Sequence, residues 1–341
     1  MNPDTIFTRR DTLYFDDGNI VLAANLANNT GSVVFKVHKS VMAAHSPVFA
    51  DMFSLPDAET ASEAYDGVPL VRMPDPAEDL QKLLEALYCK PPHTPSIARP
   101  VLALSTKYEI AHLRQVTVDR LEADWPQTLD KWDELESAVA YRRSVYLHAD
   151  LPFVDDIFPE PASALRLARD FDILSILPAV FYHLMRIPIS FDRDILHNDD
   201  PNGILMDGGR TARWSLLQGD ELLLILRGRE QALRVLRHLL FNLDWNPNHP
   251  VPDNRLCTKD SHECLKDIFQ TCSAALDSRR SDEDILFLLL PATWDKKEKE
   301  RKICPLCRLG LESKIRGLRL AFWERLPEIF GLAKQTAEAG V

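Results

Sequence analysis

The apolar residues of the first third of the chain follow two different periodicities. Short β-branched runs at residues 20–24 and 33–37 flank a turn-forming Asn-Asn-Thr-Gly stretch, which predicts a β-hairpin. Residues 68–73 form a third run of the same kind. At 48–53 and 80–88 the apolar positions return every three or four residues, which indicates amphipathic helices. The pattern therefore predicts an α+β domain with a three-stranded sheet and helical hairpins.

A helix start is marked by Ser46 and Pro47. Serine before the first turn satisfies an open backbone N–H, and proline at the first helical position has no N–H to lose. Residues 56–67 are small, acidic and polar, so we expect an exposed loop there. The apolar faces of the two helices and of the segment before them predict three core side chains: Val41, Phe49 and Leu84.

After residue 124 the pattern is mainly helical. Apolar residues recur at helical spacing over 132–145, 162–177 and 222–241, with prolines between these stretches. The sequence thus predicts three regions: an α+β domain at 12–124, a helical region at 125–250 and a C-terminal helical region at 251–341.

Charge and composition exclude several classes of protein. The formal net charge is −11, with −6 on the first 124 residues and −5 on the rest, so neither part is a basic module that would neutralise nucleic-acid phosphates. The longest apolar runs fall far short of the ~20 residues that span a bilayer, and the N-terminus lacks an apolar signal segment. Six cysteines are too few for a disulfide-stapled secreted domain. We expect an intracellular protein, cytoplasmic or nuclear, without a membrane partner.

No pattern typical of a catalytic centre occurs in the sequence. A phosphate-binding glycine loop, a Gly-x-Ser-x-Gly elbow and a His-Glu-x-x-His helix are all missing, so we predict that the chain is not an enzyme. The polar residues 197–210 lack the spacing of a twelve-residue calcium loop and are predicted to be a solvated loop. Glutamates interrupt the basic residues at 296–302, which favours a solvated segment over a nucleic-acid patch.

Cysteines are concentrated at the end of the chain, where they suggest a metal site. Cys304-Pro-Leu-Cys307 is a Cys-x-x-Cys step, whose short turn directs two thiolates at one ion. The hypothesis is a structural zinc site with four ligands: Cys257, Cys264, Cys304 and Cys307.

Two alternatives to the zinc site remain open. The cysteines could be separate buried thiols, or Cys304 and Cys307 could form a redox pair, although the strand-to-helix setting of thioredoxin-like motifs is missing. His262 is the substitute ligand if Cys257 faces away, and Cys272 is predicted to be a core thiol.

Residues 35–49, Phe-Lys-Val-His-Lys-Ser-Val-Met-Ala-Ala-His-Ser-Pro-Val-Phe, resemble the core motif of BTB/POZ domains. That motif is a strand, a His-basic pair, a hydrophobic helix and a Ser-x-x-Phe step. The resemblance extends over roughly 12–124. The segments Asp-Gly-Asn-Ile-Val-Leu at 17–22 and Tyr-Asp-Gly-Val-Pro-Leu at 65–70 are most similar to BTB proteins expanded in mushroom-forming fungi.

The resemblance implies a protein–protein interaction module: an adaptor or scaffold, with a cullin-type ubiquitin ligase or a co-regulator as partner. The alternative is a transcriptional or chromatin regulator with a DNA-associated C-terminal region. His38 matches the motif histidine, either as a partner contact or as a packed ring at a helix start. Which residues bind a partner is not assigned.

Two departures from the family pattern concern self-association. Asn19 and Lys39 occupy the positions of an aspartate–arginine pair in many animal members, and an amide cannot form that ion pair. No long helix is predicted before the first strand, because Asp-Asp-Gly at 16–18 interrupts it. Dimerisation through a swapped N-terminal helix is therefore not predicted.

Overall fold

The computed structural model describes residues 7–55, 63–88, 95–146, 152–241, 264, 284–290 and 304–332. The chain divides into two units, Met1–Asp124 and Trp125–Val341. The predicted boundary near residue 250 lies outside the described residues.

The first unit contains one mixed sheet with the strand order β1-β3-β2-β5-β4. Its strands are β1 (Phe7–Tyr14), β2 (Ile20–Asn25), β3 (Ser32–Val37), β4 (Ala64–Tyr65) and β5 (Val68–Arg72). The predicted hairpin is β2 antiparallel to β3, with Leu22 opposite Phe35, and the third predicted strand, β5, runs parallel to β2. The three predicted strands are therefore the centre of the sheet, and β1 and β4 extend it at its two edges.

Strand β1 was not predicted, since its residues Phe-Thr-Arg-Arg-Asp-Thr-Leu-Tyr are mostly polar and exposed. It is parallel to β3, with Phe7 opposite Ser32 and Arg9 opposite Val34. An edge strand with solvent on one face needs few apolar residues, because backbone hydrogen bonds hold it. The sheet thus begins at Phe7, before the predicted start of the domain at residue 12.

Five helices accompany the sheet: α1 (Lys39–His45), α2 (Pro47–Ser54), α3 (Ala77–Tyr88), α4 (Pro95–Lys107) and α5 (Ala111–Asp124). Their apolar faces share one core with one face of the sheet, which includes Phe35, Phe49 and Leu84 at 0% exposure. The predicted cap is confirmed, since Ser46 Oγ accepts the backbone N–H of Phe49 at 3.1 Å. Val41 is only partly buried, because α1 is a single short helix that turns Met42 into the core instead.

The opposite face of the sheet is closed by aromatic and cationic side chains. Its buried centre consists of Val21, Ala23, Val34 and Leu70. Phe7 and Tyr65 meet edge to face above it, with ring centroids 5.4 Å apart. The guanidinium of Arg9 lies 4.8 Å from the ring centre of Tyr14 and 5.5 Å from that of Tyr65. The edge strands β1 and β4 therefore cover apolar surface that would otherwise face water.

The regular elements of the second unit are helices in its described part. Its helices are α6 (Leu129–Tyr146), α7 (Val154–Ile157), α8 (Pro161–Asp170), α9 (Leu177–Arg186), α10 (Arg193–Leu196), α11 (Gly219–Phe241), α12 (Ile285–Leu288), α13 (Pro305–Glu324) and α14 (Leu326–Ile329). Short 3-10 turns occupy Leu174–Ile176 and Trp214–Leu216. Helix α9 is buried over nearly its whole length and forms the centre of this unit. The predicted helical region after the α+β domain is confirmed.

Helix α13 packs on the centre of the second unit through its C-terminal half. The rings of Trp323 and Trp132 lie 5.6 Å apart, and Phe322 meets Tyr182 edge to face at 6.1 Å. Arg319 donates to both carboxylate oxygens of Asp133 and to the carbonyl of Leu286. These contacts join α13 to α6, α9 and α12.

Candidate functional site

His38, the motif histidine, lies directly before α1 and packs against two aromatic rings that stack on each other. Its ring centre is 5.3 Å from that of Phe15 and 6.0 Å from that of Tyr88, and its backbone N–H donates to the Tyr88 hydroxyl at 3.0 Å. Nε2 lies 3.1 Å from Oδ1 of Asp17, and this hydrogen bond lowers the pKa of the Asp17 carboxyl. These contacts agree with a packed ring that fixes the start of α1.

Asn19 and Lys39 do meet, but not as an ion pair. Asn19 Oδ1 accepts the backbone N–H of Lys39 at 2.8 Å, so the amide satisfies a donor in the first turn of α1. The Lys39 ammonium instead lies 5.9 Å from the ring centre of Phe53. The charged pair of other family members is replaced here by a helix cap.

Leu55 is the large apolar side chain that stands out on the surface of the first unit, among the residues described there. It directly follows α2 and is 70% exposed. Isolated exposed leucines are common on protein surfaces. This one borders the segment 56–62, which lies outside the described residues.

Three of the four cysteines of the predicted metal site converge in the second unit. Their potential ligand atoms, the sulfurs of Cys264, Cys304 and Cys307, all lie within 4.8 Å of one another. The three residues are buried, with exposures of 1%, 1% and 5%. In the described part of the chain, this is the one group of three or more His, Cys, Asp or Glu residues that is close enough to hold a metal ion. Cys257, the fourth predicted ligand, lies outside the described residues, as do His262 and Cys272.

The start of α13 shapes this cluster. Cys304 is the N-cap of the helix and Pro305 its first residue, and Cys304 Sγ accepts the backbone N–H of Cys307 at 3.5 Å. An N–H···S bond at a helix N-terminus favours the thiolate over the thiol, because the donor and the helix dipole both stabilise negative charge. The arrangement can therefore bind a soft or borderline cation, or remain as buried thiols.

Asp155 organises a polar centre in the second unit that the sequence did not reveal. Its side chain is 1% exposed and accepts hydrogen bonds from the backbone and hydroxyl of Thr211 and from Arg210 and Arg193. The stretch predicted as a solvated loop, 197–210, is thus tied at its end to a buried carboxylate. Despite desolvation, the hydrogen bonds from Thr211 and the two guanidinium groups lower the pKa of Asp155.

His183 on α9 is also a buried polar group, but unlike Asp155 it makes no hydrogen bond through its side chain. Neither ring nitrogen has a hydrogen-bond partner, and the ring packs edge to face against Trp125 at 5.9 Å and Trp132 at 6.0 Å. Burial lowers the pKa of His183 well below its usual value, and the charges of Arg210 and Arg186 add to the effect. The imidazole is therefore neutral in the folded protein at physiological pH.

Comparison with known families supports the first unit's assignment. Residues 21–124 match the family model of the BTB/POZ domain. No curated protein and no solved structure matches the chain. BTB/POZ domains are non-enzymatic protein–protein interaction modules, and the first unit is one such module followed by a helical region. Within the described residues, no helix is both long and apolar enough to cross a membrane.

Proposed function

We propose that this chain is an adaptor or scaffold protein, in which the BTB/POZ domain at 21–124 binds one protein partner and the helical unit binds another. The domain match carries the proposal. A cullin-type ubiquitin ligase scaffold is the partner that we propose for the BTB/POZ domain, with a co-regulator as the other candidate. The protein acts inside the cell, in the cytoplasm or the nucleus, and needs no catalytic residue for this role.

The surface of the first unit supports a binding role near the end of α2. Leu55 presents an apolar side chain to solvent next to a chain segment of mixed small and acidic residues. An apolar anchor with a polar rim is the common arrangement at protein interfaces.

The helical unit offers its own apolar surface on α11. Leu223 and Leu226 on this helix are 52% and 49% exposed. They lie three residues apart and therefore share a face of the helix. We propose this face as the second partner surface of the adaptor.

Two matched variants of the full chain test the adaptor function. Leu55→Asp places a charge on the first surface, and Leu223→Asp makes the same change on the second. We expect affinity purification to recover cullin subunits with the wild-type protein and with Leu223→Asp, but at least about tenfold less with Leu55→Asp. The partners of the helical unit should be recovered with the wild-type protein and with Leu55→Asp, but less with Leu223→Asp. Recovery of cullin that neither variant changes would contradict these surfaces, and absence of cullin with all three proteins would contradict the ligase assignment.

The regulator alternative needs a basic face on the C-terminal region, and the chain from Cys257 onward is only near neutral. That part carries 15 basic and 14 acidic residues, so it lacks the strong acidity of the rest. A binding series against random duplex DNA at increasing salt decides this alternative. Affinity that falls steeply with salt would support a phosphate-tracking surface, whereas no measurable binding at low salt would exclude it.

A structural zinc ion is the one cofactor that we propose for the chain, with the sequence-predicted ligands Cys257, Cys264, Cys304 and Cys307. It takes no part in catalysis. Four protein ligands leave no open position on the ion for a substrate or an activated water.

A further inference from the structure

We infer that the cluster of Cys264, Cys304 and Cys307 is a metal clamp: a zinc ion bound by these three thiolates and a fourth ligand fixes the start of α13 and is required for the stability of the second unit. This inference rests on the zinc proposal and is independent of the adaptor function.

The spacing of the three sulfurs fits one tetrahedral ion. Zinc–sulfur bonds of about 2.3 Å place neighbouring sulfurs of a tetrahedral site about 3.8 Å apart. The three sulfurs already lie within 4.8 Å of one another, so closing on an ion needs shifts of an ångström or less. Two of them come from one short turn and the third from a position 40 residues earlier, so the cluster joins cysteines that are distant in sequence.

The surroundings of the three cysteines favour thiolates bound to a metal ion over neutral thiols. Cys304 Sγ accepts the N–H of Cys307, an interaction that lowers the cost of a thiolate. Three thiolates buried together would repel one another strongly without a cation, and a divalent ion removes that cost. Soft sulfur ligands in a closed site select zinc over magnesium or calcium. Each thiol that ligates the ion releases one proton, and no oxidant or reductant is needed.

The clamp has a mechanical consequence for α13. This helix of 20 residues is about 30 Å long. Its C-terminal half is held by Trp323, Phe322 and Arg319, while its first turn meets Cys264 in the cluster. Metal binding thus joins two parts of the chain that are distant in sequence, as structural zinc does in small domains.

The tryptophan distribution gives a readout specific to this unit. All six tryptophans follow residue 124, so tryptophan fluorescence reports on the second unit and is silent for the BTB/POZ domain. Trp132 and Trp323 lie against each other where α13 packs. Loss of the clamp should therefore appear in tryptophan-monitored melting.

The test uses the full-length protein purified without chelators and with reductant. We expect elemental analysis to find one zinc ion per chain. Removing it with a strong chelator should lower the tryptophan-monitored melting temperature by about 5 °C or more, and adding zinc should restore it. Cobalt added to the metal-free protein should give a thiolate-to-metal charge-transfer band.

Single variants Cys264→Ser, Cys304→Ser and Cys307→Ser should each lower the zinc content at least about tenfold. Cys89→Ser, which changes the one cysteine of the first 124 residues, is the control and should retain the ion. If a ligand variant fails to fold, the chelator and cobalt measurements on the wild type still decide. Bound zinc whose removal leaves melting unchanged would overturn the clamp but keep the zinc proposal. No stoichiometric zinc and no cobalt band would overturn both, whatever partners the protein binds.

Discussion

Phe49 connects the family motif to the core of the BTB/POZ domain. Its side chain is fully buried, with its ring centre 4.5 Å from that of Tyr108 and 5.9 Å from that of Phe53. Its backbone N–H is bonded to Ser46, which also donates its hydroxyl to the carbonyl of Tyr108 at 2.5 Å. The Ser-x-x-Phe step of the motif is thus a cap and a core anchor in one turn.

Replacing Phe49 by alanine should lower the free energy of unfolding of the first unit by about 3–5 kcal/mol, because the ring leaves a cavity between Tyr108 and Phe53. Urea unfolding followed by circular dichroism measures the change. Leu55→Ala, on an exposed side chain, is the control and should change stability by about 0.5 kcal/mol or less. Equal effects of the two variants would contradict the core position of Phe49.

His183 predicts how stability depends on pH. Its pKa is lowered by burial in the folded state, so below about pH 6.5 the unfolded chain binds a proton that the folded chain does not. The free energy of unfolding is therefore highest, as far as His183 is concerned, at neutral pH. It falls by up to about 1.4 kcal/mol per pH unit as the pH drops below about 6.5. Tryptophan-monitored unfolding between pH 5 and pH 8 should show this loss in the wild type.

The control for this pH dependence is His183→Leu, which removes the titrating ring and its two unpaired nitrogens. In the variant, the free energy of unfolding should lack this part of its pH dependence, whatever the absolute stability of the variant. A slope identical to that of the wild type would show that other groups cause the loss.

At the scale of elements, the sequence predicted those strands and helices whose apolar pattern is strong. The β2–β3 hairpin and α3 contribute several fully buried apolar residues to one core, β5 buries Leu70 on the other face of the sheet, and each was predicted. Strands β1 and β4 were missed because they are short or polar and lie at the sheet edges. Asp66 and Gly67 between β4 and β5 both have positive φ, and Asp-Gly is a strong two-residue turn signal that could have indicated this second hairpin.

In the candidate site, too, some features could be predicted from the sequence and others could not. The Cys-x-x-Cys step was visible because its ligands are close in sequence, and the structure places Cys264, also a predicted ligand, beside it. The polar centre at Asp155 was not visible, since its partners Thr211, Arg210 and Arg193 are far away along the chain. Contacts between distant residues have no periodicity from which they could be inferred.

The ion pair that anchors α13 gives an element-scale prediction. Arg319 is 7% exposed and Asp133 is 38% exposed, so removing the carboxylate leaves a buried guanidinium without its charge partner. We expect Asp133→Asn to destabilise the second unit by up to about 3 kcal/mol, and Arg319→Met by less. Urea unfolding followed by tryptophan fluorescence measures both.

A matched control is available on α6, the helix that carries Asp133. Asp130→Asn changes an exposed carboxylate on α6 and should alter stability by about 0.5 kcal/mol or less. If Arg319→Met proved the more harmful change, the hydrogen bond from Arg319 to the carbonyl of Leu286, rather than the ion pair with Asp133, would be the main contact that holds α13.

At the scale of the whole molecule, the chain combines an interaction domain with a helical unit of a different construction. The first unit is organised around a sheet with helices on one face. In the second unit, the described elements are helices joined by buried charges, at Asp155 and Arg319 among others. Each unit has its own core, so each should unfold as a unit of its own.

The boundary between the units predicts the behaviour of fragments. Residues 1–124 should fold cooperatively alone, and a fragment of residues 12–124 should be less stable, because it lacks the part of β1 in which Phe7 and Arg9 pair with β3. Urea midpoints of the two fragments provide the comparison. Equal midpoints would show that the first half of β1 contributes nothing, and failure of both to fold would refute an independent first unit.

The pairing of Asp133 with Arg319 joins residues that are 186 positions apart in the chain. At about 5–20 residues per second, a ribosome takes about 10–40 s to reach Arg319 after it has added Asp133. Throughout that interval the BTB/POZ domain is already fully synthesised, whereas α6 still lacks the helix that covers Trp132. The nascent second unit therefore exposes an apolar face to chaperones, and a premature stop near the C-terminus would release a finished interaction domain attached to an unfinished helical unit.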